Sequence, residues 1–284
     1  HNLNLTKIQS RPSRKIQWDY NFYVDILVGS KVDQTKRGLE KIKKIASYFK
    51  ILGAYKIMKT ATRISKLPKY VGGKPIDELQ RELGIDRPIK LASNENPNGP
   101  SPKSLEALSR SILDVAFYPD GDSYHLKRKI CEKESILPNQ IVIGNGSNEI
   151  LELISHAFIE KDDEVIMGEY CFIVYPIVAM LSEARIIRSK MPNMTHDIQD
   201  IIDLVSDNTK VIFIANPNNP TGTKVPKEEI YKLLDSIPSN ILVVVDEAYC
   251  EYLIKNQRMD VSKDLTKWKN LVIVKTFSKI YGLA

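Results

Sequence analysis

Short apolar runs recur along the second half of the chain, each followed by a stretch with apolar residues at helical spacing. Residues 164–167, 184–187, 210–215, 241–246 and 271–275 are continuous enough to predict strands buried on both faces. Residues 174–183, 198–205 and 227–236 predict the intervening helices. Repeated strand–helix units imply an α/β protein, with a mostly parallel sheet covered by helices on both faces. Upstream, 104–113 and 124–135 read as helices, 140–143 as a strand, and a further helix starts at the Gly144-Asn145-Gly146-Ser147 turn. The first 58 residues follow a different rhythm. Residues 3–8 and 19–27 predict strands, with a break at Arg11-Pro12-Ser13. A charged amphipathic helix over 34–48 puts Leu39, Ile42, Ile45 and Ala46 on one face, and 49–55 predicts a last strand. Residues 58–65 read as a linker, followed from Lys66 by a Pro/Gly-punctuated entry and a short helix. The expected organisation is a small α+β unit over 1–58 and a large α/β domain over 62–284.

Composition narrows the classes. With 284 residues, 43% hydrophobic and 27% charged, the chain fits an ordinary globular protein of one large and one small domain. No apolar run approaches the length of a membrane helix. The net charge of +6 is modest and comes largely from the first 74 residues, where Lys and Arg lie on probable helix faces; a basic stripe with aromatic platforms is not evident, so nucleic acid is not the expected partner. Cys131, Cys171 and Cys250 fit neither a disulfide framework nor a zinc site, which suggests a reducing, cytoplasmic setting. The four histidines have no metal spacing.

Candidate chemistry gathers at strand ends. The run at 271–274 leads into KTFSKIYGLA, which places Lys279 just past a strand's carboxyl end, where open α/β sheets hold their ligands. Thr276 and Ser278 beside it are suited to hydrogen-bond a phosphate. Upstream stand NPNNPTG (216–222) and VVVDEAY (243–249), the latter a strand that ends in Asp246. A lysine alone is most often a surface charge. A buried acid, an asparagine and a lysine around one cofactor are what pyridoxal phosphate chemistry requires. Gly144, Gly146 and Ser147 open a helix N-terminus, where backbone N–H groups and the dipole favour an anion. The polar loop LASNENPNGPSPK (91–103) is long for a compact domain and is expected to be functional.

Six ordered motifs, LASNENPNGPSP, YPDG, GNGSNEIL, NPNNPTG, VVVDEAY and TFSKIYGLA, resemble the histidinol-phosphate aminotransferase family of fold type I pyridoxal phosphate enzymes. The resemblance implies that Lys279 joins covalently to the cofactor aldehyde and then shuttles protons. It implies that Asp246 pairs with the protonated ring nitrogen and that Asn219 and Tyr249 hydrogen-bond the phenolic oxygen. Phe172 aligns with an aromatic that stacks on the ring, although a core phenylalanine fits almost as well. Gly146, Ser147, Asn148, Thr276 and Ser278 are implied to surround the phosphate. Tyr118 is implied to reach the partner subunit's cofactor, hence a homodimer. Asn94 is implied to lie near the substrate, although a turn asparagine reads the same way. The substrates implied are a small amino donor and a keto acid or carbonyl acceptor, and this resemblance points to imidazole acetol phosphate, in histidine synthesis. A decarboxylase acting on an amino-acid phosphate is the alternative within the same fold.

The first unit resembles another family. TKIQSRP, YNFYVDI and FKILGAYK are similar to the second half of the ACT regulatory domain of prephenate dehydratase, whose Glu-Ser-Arg-Pro motif helps bind phenylalanine. Here Gln9 replaces the Glu, and Ser10, Arg11 and Pro12 are the implied effector contacts. That likeness points to phenylpyruvate as the acceptor, glutamate as the donor and a bifunctional dehydratase–aminotransferase. A non-catalytic phenylalanine-sensing segment is a further alternative. The chain opens at His1 without Met and stops at Ala284 in a segment heading into a helix, so both ends are expected to fall inside a longer polypeptide. The resemblance places a small C-terminal domain and a substrate-carboxylate Arg after Ala284. A segment lacking them is expected to leave its sheet uncovered on both faces and to be inactive.

Overall fold

The apolar runs of the second half form one sheet. In a computed structural model of the chain, the described residues are 4–12, 20–28, 32–54, 61–68, 73, 75–86 and 88–284. They divide into two compact units, His1–Lys59 and Thr60–Ala284. In the second unit, helices α2 (Thr62–Ser65), α3 (Ile76–Leu83), α4 (Pro102–Ser111), α5 (Tyr124–Glu134) and α6 (Gly146–Phe158) precede the sheet. Then come β3 (Glu164–Gly168), α7 (Val174–Leu181), β4 (Arg185–Ser189), α8 (Ile198–Asp203), β5 (Thr209–Ala215), α9 (Lys227–Ser236), β6 (Leu242–Asp246), α10 (Val261–Lys267) and β7 (Leu271–Val274). The five strands β3 to β7 are ordered β4-β3-β5-β6-β7 and every pairing among them is parallel.

Alternation along the strands separates two cores, because successive side chains point to opposite faces. On one face Ile166, Ile212, Ile214, Val243 and Val245 cluster with Ile201 of α8 and Ile230 and Leu233 of α9. On the other Val165, Met167, Val211, Phe213 and Val244 cluster with Leu151 of α6 and Tyr175 and Val178 of α7. Both faces are thus covered, contrary to the expectation of bare apolar faces. Each fully buried aliphatic contributes roughly 1.5–3 kcal/mol of burial.

Two expected strands are absent. Residues 141–143 are β-branched but pair with no described strand, and Val142 is 71% exposed. Residues 49–54 likewise form no strand, with Ile51 and Leu52 exposed; residue 55 lies outside the described residues. The sequence reading also passed over α10. Its stretch is polar, but Asp260 caps it by accepting from the Lys263 N–H. No helix among the described residues is long and apolar enough to cross a membrane.

The first unit holds β1 (Asn4–Pro12), β2 (Tyr20–Leu27) and α1 (Val32–Ile45). The strands pair antiparallel, with Ile8 opposite Val24 and Ser10 opposite Phe22. Pairing continues through Arg11 to Pro12, so neither of these two residues breaks the strand; Leu3, Ser13 and Asp19, which the expectation for this region also covers, lie outside the described residues. The helix stops at Ile45 rather than 48, and Ile45 points to solvent instead of sharing the face of Leu39 and Ile42.

Candidate active site

The order of the sheet reverses beside β3, since the chain steps from β3 outward to β4 and then returns through β5, β6 and β7 on the other side. Such a switch opens a crevice at the carboxyl ends of the strands. A cavity of about 640 Å³ lies there. Its walls come from the segments after β3, β5, β6 and β7, the first turn of α6, and Ser93 and Asn94 of the polar loop.

Asp246, the last residue of β6, lines this cavity and is 5% exposed. Its Oδ2 accepts from the Tyr175 hydroxyl at 2.7 Å, and its Oδ1 from the Ala248 N–H at 3.0 Å. Burial pushes its carboxyl above the usual range, while Tyr175, Ala248 and Lys279 act against that push. Each oxygen keeps a further acceptor site. Tyr175 is itself fixed, buried on α7 and stacked on Phe213 with centroids 4.9 Å apart.

Lys279, five residues beyond the end of β7, points its Nζ to the Ser93 carbonyl at 3.2 Å, and that ammonium sits 5.7 Å from the centre of the Tyr249 ring. The Tyr249 hydroxyl accepts from Asn94 Nδ2 at 3.0 Å. Ser93 and Asn94 both have left-handed backbone, φ 70° and 51°. That conformation costs a non-glycine residue on the order of 1–3 kcal/mol and persists where surrounding contacts impose it.

An anion cradle lies in the same cavity. Helix α6 begins at Gly146, with φ 71°, and Ser147 and Asn148 follow in its first turn. First-turn N–H groups lack intrahelical acceptors, and the helix dipole favours negative charge there. A Cβ on Gly146 would lie 3.9 Å from Ser278 Oγ, so the hydroxyl stands next to the helix start. Thr276 Oγ1 donates to Ser278 Oγ at 3.0 Å and accepts from the Ser278 N–H at 3.2 Å.

The cavity therefore brings together Lys279, Asp246, Tyr249, Asn219, Phe172, Gly146, Ser147, Asn148, Thr276, Ser278 and Asn94. Tyr118 is not among its walls and is fully exposed. Ser10 and Arg11 lie exposed on β1 of the other unit, and the Pro12 side chain is outside the described residues. Tyr175 is the functional neighbour that sequence reading missed. It sits in an apolar helical stretch, and nothing local announces a bond to an acid 71 positions away. Among the described residues no group of His, Cys, Asp and Glu is arranged to hold a metal ion.

Behind the 216–222 loop, His196 is buried beside the Ala215 carbonyl and the Asn218 side chain, yet neither ring nitrogen reaches good hydrogen-bond geometry. Burial pushes its pKa down to about 4, and the two neighbours offset this only in part. The unfolded chain then takes up a proton that the folded chain refuses between the ordinary histidine value of about 6.5 and 4, so stability falls as pH drops through that window. Unfolding free energy measured by urea titration is expected to fall by about 1 kcal/mol per pH unit more steeply in the wild type than in His196→Gln. Parallel pH profiles would contradict the assignment.

The donor set fits pyridoxal phosphate. A buried carboxylate with spare acceptor sites suits a protonated ring nitrogen, a primary amine reaches into the same space, and the helix N-terminus with two hydroxyls suits a phosphate. The fold is the fold type I architecture of pyridoxal phosphate-dependent enzymes, and the cavity holds donors suited to that cofactor. The family model "Aminotransferase class I and II" matches residues 86–284, and the chain belongs to this family. Histidinol-phosphate aminotransferase 2 of Haemophilus influenzae (strain 86-028NP) is 44% identical over 221 residues, which are 78% of this chain and 60% of that protein. Histidinol-phosphate aminotransferase of Caldicellulosiruptor saccharolyticus is 45% identical over 221 residues, 78% of this chain and 62% of that protein. The crystal structure of histidinol-phosphate aminotransferase from Sinorhizobium meliloti in complex with pyridoxal-5'-phosphate superposes with a TM-score of 0.73 at 25% identity, covering 80% of this chain and 61% of that one. The chain thus spans about 60% of the length of the curated relatives it matches.

Proposed function

We propose that this chain carries the cofactor-binding part of an aminotransferase that exchanges nitrogen between glutamate and the histidinol phosphate–imidazole acetol phosphate couple. The observation that supports this most is one cavity holding Lys279, the buried Asp246 and the Gly146–Ser278 cradle together, in a chain 44% identical to a histidinol-phosphate aminotransferase. When bound, pyridoxal phosphate supplies an aldehyde for the amine and a protonated ring that withdraws the electron pair left on the substrate carbon. Asp246 would hold the proton on the ring nitrogen, and that ion pair reverses the upward push of burial on its carboxyl. Lys279 Nζ would anchor the cofactor and, once displaced, take the proton from the substrate α-carbon. Asn219 and Tyr249 would hydrogen-bond the phenolic oxygen, and Phe172 would cover a ring face. Gly146, Ser147, Asn148, Thr276 and Ser278 would receive the phosphate. Asn94, bonded to Tyr249, would face the incoming substrate. A homodimer with Tyr118 at the partner's site accords with that residue's full exposure.

The first unit motivates a second reading. Its Gln9-Ser10-Arg11-Pro12 stretch on β1 resembles the phenylalanine-binding motif of a prephenate dehydratase regulatory domain. On that reading phenylpyruvate is the acceptor and phenylalanine an effector. The two readings separate in kinetics of the full natural chain with 2-oxoglutarate as acceptor. A kcat/KM for histidinol phosphate at least about a hundredfold above that for phenylalanine, roughly 2.7 kcal/mol of discrimination, is expected. The reverse preference would overturn the histidinol phosphate reading and support the aromatic one.

A further inference from the structure

The polar loop from Ser93 to Pro100 is fastened to the segment that follows Lys279. Asn96 Nδ2 donates to the Ile280 carbonyl at 2.7 Å and reaches the Gly99 carbonyl at 3.4 Å. Its Oδ1 accepts from the Asn98 N–H at 3.0 Å, which fixes which way round the amide sits. A second contact lies close by: Gly282, with φ 65°, packs so tightly that a Cβ would come within 2.5 Å of the Gly99 carbonyl carbon. The same loop presents the Ser93 carbonyl to the Lys279 ammonium and the Asn94 amide to Tyr249. Ser93 and Asn94 have left-handed backbone here, a conformation that persists in non-glycine residues where surrounding contacts impose it.

We propose that Asn96 is a positioning residue for Lys279, tying the loop to the backbone one residue beyond the lysine and thereby holding its amine against the Ser93 carbonyl inside the cavity. Asn96 takes no part in bonding to the cofactor or to Lys279 itself. It acts through Ile280 on one side and Ser93 on the other, and the lysine is clamped between these two. The proposal rests on Lys279 being the cofactor lysine.

Two variants separate positioning from folding. Asn96→Asp keeps the acceptor for the Asn98 N–H but sets a carboxylate oxygen against the Ile280 carbonyl. Asn96→Ser keeps a short acceptor for that N–H and is too short to reach Ile280. In cofactor-free full natural chain, acetic anhydride labelling of Lys279 is measured by peptide mass analysis against Lys255 and Lys269 as internal references. Both variants are expected to raise Lys279 labelling at least about threefold, leave the reference lysines unchanged, and release added pyridoxal phosphate at least about tenfold faster. Unchanged Lys279 labelling in both variants would overturn the proposal. Loss of the folded state in both would make Asn96 a structural residue only and equally overturn it. Borohydride trapping on the wild type is run alongside: a missing pyridoxyl label on Lys279 sinks the cofactor-lysine reading, whereas the anhydride result depends on loop geometry alone.

Discussion

Lys279→Ala is expected to lower the transamination rate by at least about 10⁴-fold, on the order of 5–6 kcal/mol of transition-state stabilisation. On the proposed reading two roles would be lost at once, covalent anchoring and proton transfer at the substrate carbon, because one amine would serve both. The variant should still fold. Lys279 is half-buried, and its one hydrogen bond among the described residues is to the Ser93 carbonyl. Pyridoxal phosphate should remain weakly held, since the α6 N-terminus, Thr276 and Ser278 are untouched. Single-turnover kinetics with a saturating amino donor read the effect directly. A loss of less than tenfold would assign the proton transfer to another group.

Asp246→Asn is expected to leave the cofactor bound and to slow turnover by about a thousandfold, roughly 4 kcal/mol. The amide keeps the size of the carboxylate; its oxygen can accept from the Ala248 N–H while its NH2 donates to the Tyr175 oxygen, so packing is preserved. It cannot hold a cationic ring nitrogen, and in a site this buried no solvent screens the missing charge. The loss should appear in kcat, with KM changed far less, because a ring nitrogen that keeps its proton would lower the cost of charge developing in the transition state more than it would aid binding. Near-normal kcat would show that the counter-charge lies elsewhere, and an equal rise in KM would mark Asp246 as a binding residue only.

Much of the sheet was legible because buried parallel strands write themselves as uninterrupted apolar runs. Val243, Val244 and Val245 before Asp246 are the clearest instance, buried on both faces. The ends of those strands pointed to the candidate site, since ligands collect at the carboxyl ends of parallel strands. What stayed hidden depends on tertiary placement. Tyr175 looks like core until Asp246 is set above it. Asn96 is one of several asparagines in its loop until the Ile280 carbonyl arrives beside it. Residues 141–143 have strand-forming side chains, but a strand also needs a neighbour, and Val142 has solvent instead.

The central claim is that Lys279 carries pyridoxal phosphate in the cavity over Asp246. The most direct measurement adds the cofactor to the full natural chain, reduces with borohydride, and maps the modified peptide by mass spectrometry. A single pyridoxyl group on the peptide containing Lys279, absent in Lys279→Ala, is the predicted result. A label on any other lysine, or none at all, would contradict it.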